Sequence, residues 1–200
     1  FTTYNVTKVF GIHMWPFIDA GKIASRPHAL MPKSAEINID IYGKAAHGTA
    51  PYEGIDALYI GTEYLRRVYA KHAQIPGAVP RFPEGVGDLP RAPQKEPEDK
   101  TIIHIGKMVS GYARNIVSDY THFLGTVRAF SEENFSMIIN LLKSTLTEIA
   151  DEYGCSTEFS NSEGYPPVIN DVDLYNEILP LLRELPGGYE EFAEPLVISE

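Results

Sequence analysis

One histidine, set among residues too small to pack around it, is the clearest candidate for chemistry in this chain. The segment Gly43-Lys44-Ala45-Ala46-His47-Gly48-Thr49-Ala50-Pro51 lets backbone or ligand come close, and Pro51 stiffens the exit. An imidazole held there is exposed, oriented and able to hydrogen-bond a polar partner near neutral pH. An ordinary exposed loop histidine satisfies the same pattern. His13, in Gly11-Ile12-His13-Met14-Trp15-Pro16, ends an apolar run. A lone histidine beside a strand is commonly structural, yet strand ends of α/β domains collect metal ligands, and neutral imidazole is the commonest of these. Asn115 follows Ser110-Gly111-Tyr112-Ala113-Arg114, where its amide could orient a ligand or simply close a turn. Arg128 ends Gly125-Thr126-Val127-Arg128 inside a strand, and a guanidinium there needs an anionic partner from the protein or from a substrate. Packing or exposure accounts for His72, His104 and His122, and His28 lies in a loop with nothing to recruit it. The sequence has no serine in a nucleophile elbow, no phosphate-cradling glycine loop, no CxxC pair and no HExxH.

The elements that must position these residues can be read from hydrophobic period. Ile37, Ile39 and Ile41 alternate with polar residues, which predicts a strand over 35–42. A helical stretch from about Glu53 to His72 follows, then strands over Thr101–Met108 and Asp119–Ala129. Phe135, Ile138, Ile139, Leu142, Leu146, Ile149 and Tyr153 then keep helical spacing over five turns. Ser131 is the expected N-cap of that helix and Gly154 its C′ residue. A last strand over Cys155–Phe159 completes the order β-α-β-β-α-β. The expected fold class is therefore α+β: a ferredoxin-like sandwich with two helices on one face of a four-stranded antiparallel sheet. Six prolines and three glycines between Gln74 and Asp99 predict a long mobile loop. Outside the sandwich, Val9–Met14 reads as a buried strand and Lys22–Ser25 as the start of another. Asp171–Leu185 reads as a helix kinked or restarted at Pro180, and Leu196–Ile198 as a short strand. The expected organisation is one α/β-domain segment over 1–33, the sandwich over 34–162 and a second segment over 163–200.

Composition narrows the partners. Seventeen basic against 27 acidic residues give a net charge of −10, which disfavours nucleic acid and anionic membrane. Cys155 is the single cysteine, so no intrachain disulfide is possible. No apolar run reaches membrane-spanning length and no signal peptide opens the chain, so a cytoplasmic location is expected. Phe1 is not an initiator methionine, and the chain stops at Glu200 just past an apolar run. It reads as an excised piece of a longer protein.

Three blocks together resemble the M20 metallopeptidase and amidohydrolase family, in its aminoacylase, hippurate hydrolase and N-acetyldiaminopimelate deacetylase branch. They are Val9-Phe10-Gly11-Ile12-His13-Met14-Trp15-Pro16, the His47 segment, and Asn115-Ile116-Val117 leading to Gly125-Thr126-Val127-Arg128. The resemblance implies a lid or dimerisation domain inserted in a two-metal catalytic domain that hydrolyses N-acylated amino acids. By that resemblance, His13 would be a metal ligand. His47 would be the catalytic lid histidine, reaching into an active site, commonly the partner subunit's, to stabilise an oxyanion. Asn115 and Arg128 would bind the substrate amide and carboxylate.

The family's remaining catalytic features would lie elsewhere. By the resemblance, its Cys-x-His ligand pair, its catalytic Glu-Glu pair and a distal histidine ligand lie outside a stretch like this one, so the divalent ions (zinc, manganese or similar) would have an incomplete site and this chain alone is expected to be inactive. Tyr52 stands where the family often has histidine, and Ser118 where it often has proline. A non-catalytic dimerisation or small-ligand-binding module, joined through a sheet edge, is the alternative.

Overall fold

The computed structural model describes residues 5–82 and 99–196. Its centre is a four-stranded antiparallel sheet in the order β4-β5-β3-β6, built from β3 (Lys33–Tyr42), β4 (Thr101–Ser110), β5 (Tyr120–Ala129) and β6 (Ser156–Asn161). Helices α1 (Ala57–His72) and α2 (Glu132–Tyr153) pack on each other and on one face of that sheet. The alternation in β3 sends Ala35, Ile37, Ile39 and Ile41 into the helix-covered core with Phe123 and Val127 of β5. Ile60, Tyr64 and Val68 of α1 meet Ile138, Leu142 and Ile149 of α2 in the same core. The Tyr64 hydroxyl, buried between the helices, donates to the Leu142 carbonyl at 3.2 Å, so its one polar group is not left orphaned.

Local signals set the helix ends. The Ser131 hydroxyl accepts from Asn134 N at 3.1 Å, and Gly154 takes the left-handed conformation (φ 65°) that ends α2. Helix α1 starts later than its period suggests. Asp56 is its N-cap, accepting from Leu58 N and Tyr59 N, and Pro51–Glu53 form a separate 3₁₀ turn. Ion pairs then stitch the helices across their exposed side, Arg67 to Glu152 and Lys71 to Glu148, with Glu63 holding Arg67 from within α1.

The flanks form two small sheets. β1 (Ile23–Ser25) pairs in parallel with β8 (Tyr189–Glu191), and β2 (His28–Met31) pairs antiparallel with β7 (Val168–Asn170). His28 therefore opens a strand rather than sitting in a loop. The expected strand over Val9–Met14 does not form. Its residues join no sheet, and Val9, Phe10, Ile12 and Met14 are exposed, since the described residues provide no neighbouring strand. Helix α3 (Val172–Arg183) is continuous through Pro180, so it does not restart there. The expected strand at Leu196–Ile198 lies largely outside the described residues, as does most of the 74–99 loop. The loop's entry is pinned rather than loose: Val79 N donates to the Thr101 carbonyl, Thr101 N donates to the Gly77 carbonyl, and Ala78 is buried. Among the described residues, no helix is long and apolar enough to cross a membrane.

Candidate functional site

The His47 segment leaves β3 and folds against the link between β4 and β5. Gly43 N donates to the Asp119 carbonyl at 2.8 Å, and Lys44 and Ile55 exchange backbone bonds of 2.9 Å that close the loop on itself. His47 then makes an isolated antiparallel bridge with Ile116, flanked by Gly48 N to the Asn115 carbonyl at 2.7 Å and Val117 N to the Ala46 carbonyl at 2.9 Å. The small residues of the motif have a steric reason. A Cβ on Gly48 would stand 3.0 Å from the Asn115 carbonyl oxygen, so the backbones meet this closely only because position 48 is glycine. Two of the expected site residues, His47 and Asn115, thus sit on adjoining loops at one end of the sheet, both exposed.

Hydroxyls brace the base of the Asn115 loop. Ser110 Oγ lies 2.8 Å from Ser118 Oγ and 2.6 Å from Thr121 Oγ1, and Thr121 donates to the Ala57 carbonyl at the start of α1. Ser118, where a proline is common, is thereby a buried and fully engaged polar residue. A cleft of about 370 Å³ opens beside this base, between Leu58 at the first turn of α1 and Tyr112, Arg114 and Ile116 of the link.

Arg128 is not part of this group. It faces away from the helices, between Val127 and Ala129, which are both buried in the core, and it pairs across the sheet with Ser34 and Ile102. At about 3.3 Å per residue it lies roughly 26 Å along β5 from Tyr120, the residue beside the His47 end. His13 is also apart. It is exposed in the N-terminal flank, with Nδ1 2.6 Å from the Met14 carbonyl and its ring edge-on to Trp15. Among the described residues no group of three or more His, Cys, Asp or Glu side chains could hold a metal ion. His13 alone is one ligand where three or four are needed, so the described residues do not make the implied metal site.

The helix-free sheet face carries a cluster that sequence reasoning missed. Asp40 of β3 accepts from the Tyr120 hydroxyl at 2.5 Å and lies 2.7 Å from His122 Nδ1, both on β5. The Asp40 carboxylate pushes the Tyr120 phenol up to about 12. Strand alternation put Asp40 on the polar face. The register that joins it to His122, 82 positions away, has no local signal.

The comparisons with known proteins agree with this architecture. Residues 32–154 match the family model described as a peptidase dimerisation domain. The N-acetyldiaminopimelate deacetylase of Lacticaseibacillus casei (strain BL23) is 26% identical over 198 residues, covering 98% of this chain and 47% of that relative. Thermostable carboxypeptidase 1 of Saccharolobus solfataricus is 26% identical over 197 residues, covering 98% and 45%. A dinuclear metal-binding peptidase of the M20 family from Bacillus subtilis has the same fold, with a TM-score of 0.62 at 19% identity, over 94% of this chain and 41% of that one. The chain spans about half the length of the curated relatives it matches. Strand order, the paired His47 and Asn115 loops and the matched span lead to one assignment: this chain belongs to the M20 family and contains its peptidase dimerisation domain.

Proposed function

We propose that this chain is the lid, with flanking catalytic-domain segments over 1–33 and 163–200, of a cytoplasmic metal-dependent hydrolase of N-acylated amino acids that works as a homodimer. The observation that carries the reading is the separation of the site residues. His47 and Asn115 share one end of the sheet, and Arg128 lies roughly 26 Å away along β5. No small N-acyl amino acid reaches both ends of one copy. Two copies related by a two-fold axis can bring the His47 end of one to the Arg128 end of the other. Beyond Thr101, which bonds to Gly77 and Val79, the outer edge of β4 pairs with no other strand among the described residues and is a ready surface for such pairing.

Each residue then has a task its chemistry suits. Arg128 offers a planar pair of donors to a substrate carboxylate. Asn115 offers an amide that can donate and accept against the scissile amide. His47 offers a ring N–H to the carbonyl oxygen as negative charge develops on it, a kind of stabilisation that gains strength once water is excluded. His13 is proposed as one metal ligand. The remaining ligands are not among the described residues, so the chain by itself should bind zinc or manganese poorly and show no turnover.

Subunit complementation tests this. In the complete hydrolase, His47→Ala and Arg128→Ala should each abolish cleavage of N-acetyl amino acids. Equal mixing and reassembly of the two variants should restore about a quarter of wild-type activity, because half the dimers are mixed and each has one intact site. No recovery would mean that His47 and Arg128 act within one subunit. Full activity of both single variants would favour the non-catalytic dimerisation module, which the self-contained core of the lid also supports.

A further inference from the structure

The loop that carries His47 also decides which ring nitrogen holds the proton. Thr49 N donates to His47 Nδ1 at 3.3 Å, and the Thr49 hydroxyl lies 2.9 Å from the same nitrogen. A backbone N–H can only donate. Nδ1 must therefore present its lone pair, and the proton of the neutral ring sits on Nε2. The hydroxyl, which can play either part, then serves as a second donor to Nδ1. The turn that brings Thr49 back onto the ring is closed by Ala50 N donating to the His47 carbonyl at 2.8 Å, and Gly48 N ties it to Asn115. Among the described residues no hydrogen-bond partner meets Nε2, on the far side of an exposed ring.

We infer that Thr49 is a positioning residue that locks the His47 imidazole as an Nε2–H donor, so that His47 meets an oxygen acceptor of the ligand rather than taking a proton from it. The inference rests on the reading of His47 as the lid histidine, and it narrows that histidine's role. The ring lone pair is engaged by Thr49, so the face of the ring left for a ligand can only give a hydrogen bond. A carbonyl or oxyanion oxygen fits it; an N–H or O–H donor does not. The side chain at position 49 thereby sets the direction of the hydrogen bond offered by position 47.

The experiment is a long-range ¹H–¹⁵N correlation of the labelled 200-residue chain, at a pH where the rings are neutral, with the His47 signals assigned through His47→Gln. The wild-type ring should show a protonated Nε2 and an unprotonated Nδ1. In Thr49→Val, which keeps the backbone donor and the branched shape but removes the hydroxyl, the Nδ1–H fraction should rise about fivefold, the factor one hydrogen bond of ordinary strength supplies. Thr49→Ser should restore the wild-type ratio. A wild-type ring protonated on Nδ1 overturns the inference without any variant, and so does a ratio that Thr49→Val leaves unchanged. The spectrum needs neither metal nor substrate. A failed complementation with the expected tautomer would therefore remove the enzyme reading and leave the role of Thr49 standing.

Discussion

His72 shows what a histidine of this chain does when it is packed instead of presented. It lies in the last turn of α1, only 4% exposed, with Nε2 3.0 Å from Thr101 Oγ1 at the start of β4. Burial disfavours the charged ring and pulls its pKa from 6.5 down to about 4, against a smaller opposing effect of the Thr101 contact. Because the folded value lies below the unfolded one, the unfolded chain binds more protons between them. Stability is therefore complete above about pH 6.5 and is lost as the pH falls toward 4, by roughly 3 kcal/mol if this group acted alone. Urea midpoints of wild type and His72→Gln at pH 7 and pH 4.5 measure it, and the variant should show the flatter pH profile. Parallel profiles would mean that the ring is not desolvated in the native state. Types and neighbours in the sequence separated His47 and His13 from the other histidines. They could not separate His72 from His122, because the difference lies in a strand 29 positions away for one and a carboxylate 82 positions away for the other.

At the scale of elements, what was legible followed from period and from chemistry at the ends. The alternation of β3, the seven apolar positions of α2, Ser131 and Gly154 each act over a few residues, so they could be read locally. The strand expected over Val9–Met14 was not realised for the converse reason. An apolar run becomes a strand only beside another strand, and the described residues place none next to it. Gly125 joins the two cases, since the Gly-Thr-Val-Arg block was visible but its cause was not. The pairing of β4 with β5 shifts register between Ile105 and Lys107, opposite Gly125, and brings the His104 carbonyl to 2.5 Å from where a Cβ at 125 would stand. The Ile105 side chain would be 2.7 Å away. Gly125→Ala must push β4 outward or flatten the bulge, at a cost of about 1–3 kcal/mol, as for other overpacked sites. Chemical denaturation should show that loss with an unchanged slope. A midpoint equal to wild type would mean that β4 yields at no cost, which a ten-residue edge strand with core residues at Thr101, Ile103 and Ile105 should not do.

For the molecule as a whole, the sandwich and its flanks differ in how much of their apolar surface is covered. The sandwich core is closed by two helices, and its largest side chains are fully buried. In the N-terminal flank, Ile12, Met14 and Phe17 are 93%, 87% and 77% exposed, and among the described residues β1 and β8 form a parallel sheet of two strands. Parallel sheets are ordinarily covered on both faces, and an extended apolar run this open to water has no source of stability within the described residues. The proposed remainder of a catalytic domain would supply both the missing strands and the cover. Local stability should therefore divide near the two connections, Pro32 and the stretch after Asn161. Limited proteolysis of the 200-residue chain should trim the flanks quickly and leave a core close to 33–161. The trimmed core should keep the cooperative unfolding of the parent chain, since α1, α2 and the four strands make one apolar cluster. If the flanks resist the protease as long as the core does, they fold as a unit with it, and the catalytic-domain assignment of both segments falls. Adding the separately expressed remainder of a hydrolase should slow the cleavage, because opening of the flanks would then require releasing a bound partner.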